Sequence, residues 1–251
     1  SLVMVMAGSK RDHIRKSKKE NSKRNQWLAI GAIVTGAIIL ALILILPNLQ
    51  AKNNTPSLGL ENIVVPDLIT DVTFSQNTLG SPDAPAKLTE FADFQCPACK
   101  NFALKIKPVL IDQYIKTGRL SLTFVPYSFI DDGTQGRESK AAAEAAYCAM
   151  DQNHFWDFYN ILFANQEGEN VGSFSSERLL AFAEKLNLNM DDFKSCINSG
   201  KYTQKVLDDR TTAEGLGLSS TPSFSLNGTV QSFANYDQLY AAIDALAPVT
   251  K

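Results

Sequence analysis

The sequence predicts an α/β domain that carries an inserted all-helical subdomain and follows one N-terminal transmembrane helix. Three observations lead to this fold class. Residues 87–127 show strand, helix and strand patterns in turn, which is typical of a βαβ unit with parallel strands. Residues 137–215 contain helical patterns and no good strand pattern. Residues 27–46 form an uncharged, mostly apolar stretch of 20 residues, the length that a helix needs to cross a bilayer.

Charge is distributed unevenly along the 251 residues. Residues 1–26 contain eight Lys and Arg against two acidic residues, a net charge of +6, whereas the remainder has 16 basic and 24 acidic residues, a net charge of −8. Basic residues stay on the cytoplasmic side of a transmembrane helix. We therefore expect a cytoplasmic basic arm at 1–26 and a single-pass anchor at 27–46 in the cell membrane, with the folded domain extracytoplasmic. The basic run is explained as a topology signal, and nucleic acid is not an expected partner.

Two other structures could account for residues 27–46. A buried core helix would have a polar face, and this stretch has none. A cleaved signal peptide usually has an apolar region of about 7–15 residues, and Leu49-Gln50-Ala51 is a poor cleavage site. We expect an uncleaved anchor. The signal-peptide alternative also delivers the rest of the chain outside the cytoplasm.

The segment between the anchor and the domain is rich in Asn, Pro and Leu, and residues 47–70 are predicted to be an extracytoplasmic linker. The domain is then expected at 71–251. It begins with a short edge strand within 71–77 and an alternating strand at 87–92. A helix follows from Cys96 toward Gly118, with a kink expected at Pro108.

The next strand is expected at 120–127, and the helical insert covers about 137–215. Its helices are predicted from apolar periodicity at 137–150, 154–165, 176–186, 190–197 and 202–216. Five aromatic residues of the insert are expected in the core, and a peptide-binding face is the alternative. These residues are Phe155, Trp156, Phe158, Tyr159 and Phe163. Strands at 223–226 and 230–233 flank Asn227-Gly228, a strong hairpin signal. An amphipathic helix at 236–246 closes the domain.

The motif Cys96-Pro97-Ala98-Cys99 next to a βαβ pattern indicates redox chemistry. Pro97 fits the first turn of a helix, where its missing N–H costs nothing. A thiolate at that position faces unpaired backbone N–H groups and the positive end of the helix dipole, which lowers its pKa below the free value of about 8.5. We therefore expect Cys96 to be the exposed attacking thiol and Cys99, one turn later, the buried resolving thiol.

Two alternatives for the motif remain open. Half of a zinc site would need further ligands at suitable spacing, but Cys148 and Cys196 are isolated, and neither His13 nor His154 is suitably placed. No metal is therefore expected. A purely structural disulfide within the motif would close a very short ring and gain little stability.

Cys148 and Cys196 fall on separate predicted helices. All four cysteines follow the predicted anchor, as expected for an oxidising compartment. A structural disulfide between these two would close a loop of about 48 residues and stabilise the fold by roughly 4 kcal/mol in the chain-entropy model. Two free buried thiols are the alternative.

Several segments together resemble one family. Residues 90–99 (Glu-Phe-Ala-Asp-Phe-Gln-Cys-Pro-Ala-Cys) resemble the active-site stretch of DsbA-type thioredoxin-fold proteins. The insert is similar in Ala145-Ala146-Tyr147-Cys148-Ala149, Phe155-Trp156 and Leu162-Phe163. Thr221-Pro222-Ser223-Phe224 and Asn227-Gly228 resemble the cis-proline loop and the hairpin after it. These landmarks occur in the family's order over about residues 70–247. The anchor and linker resemble those of membrane-bound members.

The resemblance implies a thioredoxin fold with a helical insert, and it implies roles for individual residues. Cys96 would be the nucleophile and Cys99 its partner. Pro222 would be cis, although most X–Pro bonds are trans, and the Thr221 backbone would pair with the bound substrate chain. Glu90 would be a buried acid that assists proton movement at Cys99; an ordinary solvent-facing strand residue is the alternative.

The activity implied by the resemblance is protein thiol-disulfide oxidation. The chain would pass its Cys96–Cys99 disulfide to exported proteins through a mixed disulfide, with no bound cofactor, as a monomer. A quinone-linked membrane partner of the DsbB or vitamin-K-epoxide-reductase type would reoxidise it. Strongly oxidising members have His between their cysteines, whereas this chain has Ala98, which leaves a reductase or isomerase as an alternative. A non-catalytic membrane-tethered binding module is another.

Overall fold

A computed structural model describes residues 59–69 and 71–248, and its central element is a six-stranded sheet. Its strands are Phe74–Ser75 (β1), Thr78–Leu79 (β2), Ala86–Ala92 (β3), Leu120–Pro126 (β4), Ser223–Leu226 (β5) and Thr229–Gln231 (β6). The strand order is β1-β2-β4-β3-β5-β6. Strands β3 and β4 are parallel and the other neighbours are antiparallel. The predicted βαβ unit is therefore confirmed, and its first strand lies at the centre of the sheet.

The register of the sheet brings apolar residues to both sides of one acidic residue. Glu90 on β3 is paired with Phe124 on β4 and with Phe224 on β5. Side chains at paired positions project to the same face of a sheet. Glu90 therefore has an aromatic neighbour on either side, in the face that packs against the helices.

The helix that joins β3 to β4 runs without interruption over residues 97–115 (α1). Pro97–Asn101 and Lys107–Leu110 have α-helical hydrogen bonds, while Phe102–Ile106 and Ile111–Ile115 form wider π-helical turns. Pro108 cannot donate a backbone hydrogen bond, and the helix passes through it with a wider turn on each side. Gly118 has a φ of +73° just after the helix, as predicted for the residue that ends it.

The helical insert separates β4 from β5. Its helices are Glu138–Met150 (α2), Phe155–Ala164 (α3), Ser176–Lys185 (α4), Met190–Ser199 (α5) and Thr203–Gly215 (α6). Ser175 caps α4 and Asn189 caps α5 by accepting backbone N–H bonds. The insert's aromatic residues named above are all buried, which confirms their expected place in the core. The predicted helical insertion in an α/β fold is confirmed.

The C-terminal part of the domain follows the prediction closely. Asn227 and Gly228 join β5 to β6, with φ values of 49° and 80°, as the tightest hairpin turns require. Tyr236–Leu246 (α7) has the predicted bounds, with Asn235 as its cap. One detail was missed: β2 follows β1 as a second short strand where the sequence predicted only one.

The end of the predicted linker is attached to the insert. Val64 donates its backbone N–H to Asn165 Oδ1 at 2.8 Å and accepts a bond from Asn165 Nδ2 at 2.7 Å. Arg178 Nη1 donates to the Gly59 carbonyl at 2.6 Å. Because an amide side chain pairs here with both backbone groups of one residue, residues 59–69 form a strap on the insert. The part of the predicted linker that the structure describes is thus in contact with the domain.

The described ranges contain no helix with the length and apolarity that a bilayer crossing requires. The predicted basic arm at 1–26, the predicted anchor at 27–46 and the first part of the predicted linker lie outside the described residues.

Candidate active site

Cys96 and Cys99 lie at the start of α1, directly after the central strand of the sheet. Cys96 has an extended backbone and precedes the first helical residue, Pro97. Its carbonyl accepts the N–H of Lys100 at 3.0 Å, which closes the first turn. Both cysteines are free thiols. Cys99 is 0% exposed and Cys96 is 7% exposed. The order of exposure is as expected, but the expectation of an openly exposed Cys96 is wrong, because neighbouring loops cover most of it.

The two thiols have opposite acidities. The pKa of Cys96 is lowered to about 6, first by a hydrogen bond with the Cys99 thiol, then by the Thr221 side chain and the backbone N–H groups of Cys99 and Ala98, while burial opposes the change. Burial raises the pKa of Cys99 well above its ordinary value, and the Cys96 sulfur adds to this. At neutral pH the reduced site therefore holds a thiolate at Cys96 and a thiol at Cys99, and only the former is a nucleophile.

The loop before β5, residues 216–222, approaches the reactive sulfur. The Thr221–Pro222 peptide bond is cis. The Cys96 thiol donates to the Thr221 carbonyl oxygen at 3.3 Å. The buried Tyr127 hydroxyl donates to the Leu218 carbonyl at 2.9 Å and so ties this loop to the end of β4. The sequence did not indicate Tyr127 as a residue of the site, because no local sequence pattern marks a core tyrosine whose hydroxyl is hydrogen-bonded.

Glu90 is 0% exposed, so the solvent-facing alternative is wrong. Its Oε2 accepts the Tyr159 hydroxyl at 3.3 Å, and its buried Oε1 has no hydrogen-bond partner among the described residues. Burial raises the pKa of Glu90 to about 8, and the charge of Lys107 works against that rise. Glu90 also contributes to the raised pKa of Cys99. This carboxyl group therefore holds its proton near neutral pH in the vicinity of the buried thiol.

Lys107 is a site residue that the sequence reasoning missed. It is 3% exposed, its Nζ donates to Asn160 Oδ1, and it lies 4.5 Å from the centre of the Tyr159 ring. Burial lowers the pKa of Lys107 to about 7, while Glu90 and Asp157 oppose the change. The position of Lys107 on the helix could have indicated that it is buried. Position 107 follows the buried Ala103 by four residues on the same helix face.

A buried polar network fixes the residues around the motif. Asp93 accepts the backbone N–H groups of Phe129 and Ile130 at 3.0 and 3.1 Å and the Ser139 hydroxyl at 2.6 Å. Burial raises the pKa of Asp93 to about 6, although these hydrogen bonds lower it, the one from Ser139 most. Asp93, three residues before Cys96, therefore holds the backbone of the loop after β4 next to the motif.

Gln95 extends the same network. Its Nε2 donates to Asp131 at 3.0 Å and to Ser139 at 2.8 Å, and its Oε1 accepts the Asn170 N–H at 2.6 Å. Gln95 is directly bonded to Cys96 in the chain, so the reactive residue is connected to two separate loops. The central motif residues, Pro97 and Ala98, are exposed.

Cys148 and Cys196 form a disulfide between α2 and α5, with their Cα atoms 5.8 Å apart. It lies in the insert and includes neither motif cysteine. In the described ranges, no group of three or more His, Cys, Asp or Glu residues is arranged to hold a metal ion.

Known proteins that are similar to this chain include disulfide bond formation proteins. A family model described as Thioredoxin matches residues 73–245. The "Probable disulfide bond formation protein D" of Bacillus anthracis is 35% identical over 172 residues, which cover 68% of this chain and 77% of that protein. The "Disulfide bond formation protein D" of Bacillus subtilis is 28% identical over 172 residues, covering 67% and 76%.

Two solved structures of bacterial proteins are also similar to this chain. Oxidised BdbD from Bacillus subtilis is 27% identical with a TM-score of 0.61, covering 68% of this chain and 91% of that chain. Chlamydia trachomatis DsbA is 26% identical with a TM-score of 0.57, covering 72% and 96%.

Proposed function

This chain belongs to the thioredoxin-fold family of DsbA-type thiol-disulfide oxidoreductases and is a protein disulfide oxidoreductase, and from that premise we propose that it donates its Cys96–Cys99 disulfide to exported proteins. The observation that supports the direction of transfer most is the low pKa of Cys96 beside a buried Cys99. A stabilised thiolate favours the reduced form of the enzyme, and an enzyme that prefers to be reduced is an oxidant of its substrates.

The proposed transfer has two steps. A substrate thiolate attacks Cys96 Sγ of the enzyme disulfide; a substrate–Cys96 bond forms, the Cys96–Cys99 bond breaks, and Cys99 leaves with the electron pair. A second substrate thiolate then attacks the substrate sulfur of this mixed disulfide, and Cys96 leaves as a thiolate. The substrate loses two electrons and two protons; the enzyme gains the two electrons and one proton, which Cys99 holds, and the other proton passes to solvent. The low pKa of Cys96 makes it a good leaving group in the second step.

Cys99 needs a proton when it leaves, because burial raises its pKa. We assign Glu90 as the group that supplies this proton, since its own pKa is near 8. Lys107 lies on the same side of the sheet and favours the ionised form of Glu90. The cation can therefore stabilise the carboxylate left after proton transfer, and Tyr159 donates a hydrogen bond to it. Pro222 and Thr221 would hold the substrate chain beside Cys96.

The proposed location is the outer side of the cell membrane, with the anchor at 27–46 and the N-terminus in the cytoplasm. The charge asymmetry and the apolar stretch support it. The Cys148–Cys196 disulfide also supports it, because such bonds persist in oxidising compartments. Two proteins confined to one membrane meet at a raised effective concentration. We propose that a quinone-linked membrane protein of the DsbB or vitamin-K-epoxide-reductase type reoxidises the site without a cofactor bound by this chain.

An oxidative refolding assay tests the proposal. The oxidised full chain is mixed with a reduced, unfolded substrate that has two cysteine pairs, and recovery of native disulfides is followed. We expect substrate oxidation by the wild type and none by Cys96→Ser. A Cys148→Ser/Cys196→Ser variant is the control, since it removes the disulfide of the insert, leaves both motif cysteines in place and should retain the activity. Oxidation by Cys96→Ser at the wild-type rate would contradict the proposal.

A reductase or isomerase is the second candidate, and one residue favours it. Ala98 supplies no imidazolium near Cys96, and a Cys96 pKa of about 6 lies between the values of about 7 for thioredoxin and about 3.5 for the most oxidising relatives. Equilibration of Cys96–Cys99 with glutathione separates the candidates. A potential nearer −270 mV than −120 mV, together with activity on scrambled disulfides alone, would favour isomerisation.

A further inference from the structure

An open pocket adjoins Cys96 and is formed by three loops. The loop after β4 provides Phe129, Ile130 and Asp132, the loop after α3 provides Glu169, and residues 219–221 complete the wall. No lysine or arginine lines it. Only 7% of Cys96 is exposed, and a molecule that reaches its sulfur through this pocket contacts these walls.

The loop that carries Glu169 is held in place on both sides of that residue. Gln166 Nε2 donates to the Phe94 carbonyl at 3.0 Å, and the Gln166 carbonyl accepts Lys100 Nζ at 2.5 Å. On the other side, the Asn170 N–H is bonded to Gln95. The anchoring residues flank Cys96 in sequence, so the backbone at Glu169 is fixed relative to the reactive sulfur.

The two carboxylates of the pocket differ in their partners. Asp132 accepts bonds from Arg210 Nη1 and Nη2, each at 2.6 Å, and its charge is thereby compensated. Glu169 is exposed, and among the described residues no basic group lies within ion-pair distance of it. The pocket therefore presents one uncompensated negative charge, in a part of the chain that already has a net charge of −8 over residues 27–251.

We infer that Glu169 is a specificity-determining residue and that the pocket receives a lysine or arginine next to the substrate cysteine. The long aliphatic stem of such a side chain would pack on Phe129 and Ile130, and its charged end would meet the Glu169 carboxylate. The net negative charge also favours the approach of cationic segments. This inference rests on the proposed function, since it names the class of substrate that the same site prefers.

Matched peptides measure this preference. Reduced two-cysteine peptides that differ only in Lys, Gln or Glu beside the first cysteine are oxidised by the full chain at low salt. We expect kcat/KM to be about two- to fivefold higher for Lys than for Gln, the range given by exposed ion pairs, with Glu slowest. Glu169→Gln should reduce this discrimination to nearly none, and 0.5 M salt should weaken it in the wild type.

Glu167→Gln is the matched control, because Glu167 is an exposed carboxylate on the same loop that does not line the pocket. It removes the same net charge and should retain the discrimination. Equal discrimination in Glu169→Gln and the wild type, or equal losses in both variants, would overturn the inference.

A second experiment does not depend on substrate oxidation. In a Cys99→Ala background, the Cys96 thiolate displaces methanesulfinate from methanethiosulfonate reagents and keeps the label. The ratio of rates for a cationic ethylammonium reagent and an anionic ethylsulfonate reagent should fall about two- to fivefold in Glu169→Gln and stay constant in Glu167→Gln. An unchanged ratio in Glu169→Gln overturns the inference. A wild type that oxidises no peptide at all, while this ratio falls, contradicts the proposed function instead.

Discussion

Cys96 and Cys99 are one helical turn apart, yet burial acts on them with different results. Cys96 receives hydrogen bonds from the Cys99 thiol and from backbone N–H groups at the helix start, and these outweigh its partial desolvation. Cys99 is deeper and its desolvation dominates. Which of the two cysteines is the thiolate therefore depends on where the first turn of α1 lies relative to the surface.

The acidity of Cys96 gives the first prediction. The rate of alkylation of the reduced chain by iodoacetamide should rise with pH and reach half its maximum near pH 6. Cys99→Ala removes the largest cause of the low pKa and should move the midpoint upward, whereas Cys99→Ser retains a hydroxyl donor and should move it less. Identical midpoints for Cys99→Ala and the wild type would contradict this origin of the acidity.

Glu90 gives a prediction about stability. Its carboxyl loses its proton near pH 4.5 when unfolded and near pH 8 when folded. The unfolded chain therefore releases this proton first as pH rises, so the free energy of unfolding falls between pH 4.5 and 8. Relative to Glu90→Gln, the wild type should lose roughly 2–3 kcal/mol between pH 5 and 7, since the limiting slope is about 1.4 kcal/mol per pH unit.

Urea unfolding of the reduced proteins at pH 5, 6 and 7 measures this difference. Lys107 changes the free energy of unfolding little in that window. Because its pKa in the folded chain is about 7, its destabilising effect is nearly constant below pH 7 and decreases only above pH 7. Glu184→Gln, an exposed carboxylate on α4, serves as the control and should follow the wild type. Parallel curves for Glu90→Gln and the wild type would show that Glu90 is ionised when folded.

Among the elements, α2 and α5 are joined by the Cys148–Cys196 disulfide. Replacing both cysteines by Ala should lower the free energy of unfolding by about 4 kcal/mol, the chain-entropy value for a loop of this length. Oxidation of substrates should continue, because the motif cysteines are elsewhere. Urea denaturation checks the first part, and the matched variant Cys96→Ala/Cys99→Ala should lose much less stability. Equal losses in the two variants would argue against a structural role.

The elements were largely predictable from the sequence, because local patterns determine them. Strand alternation, helical periodicity and the Asn227-Gly228 turn placed β3, β5 and α7 within about a residue of their observed bounds. The π-helical turns of α1 and the two-residue strand β2 were not predicted. Neither has an apolar repeat of its own; both depend on how neighbouring elements pack.

The candidate site was predictable only in part, for a related reason. Cys96, Cys99 and the Thr221–Pro222 bond belong to short motifs that can be recognised along the chain. The Gln95 contacts join residues 36, 44 and 75 positions apart, and no local pattern records such pairings. Lys107 and the strap at 59–69 were missed because a lysine and a polar linker are usually solvated.

For the whole molecule, the acidity of Cys96 predicts how the redox potential varies with pH. Below pH 6 the reduced site carries two protons more than the oxidised site, and above pH 6 it carries one, on Cys99. The potential should therefore fall by about 59 mV per pH unit below the pKa and by about 30 mV per unit above it. Equilibration with glutathione from pH 5 to 7.5 measures both slopes. A single slope of about 59 mV throughout would contradict a thiolate at Cys96.

The antiparallel pairing of β3 with β5 has a consequence for how the chain matures. Leu88 is paired with Leu226, so one edge of the central strand has no neighbour until residue 226 has been made. At about 5–20 residues per second, synthesis of the intervening segment takes on the order of ten seconds. All four thiols are translated during that interval, before the loop that covers Cys96. The newly made chain therefore contains all four thiols before its central strand has both of its neighbours.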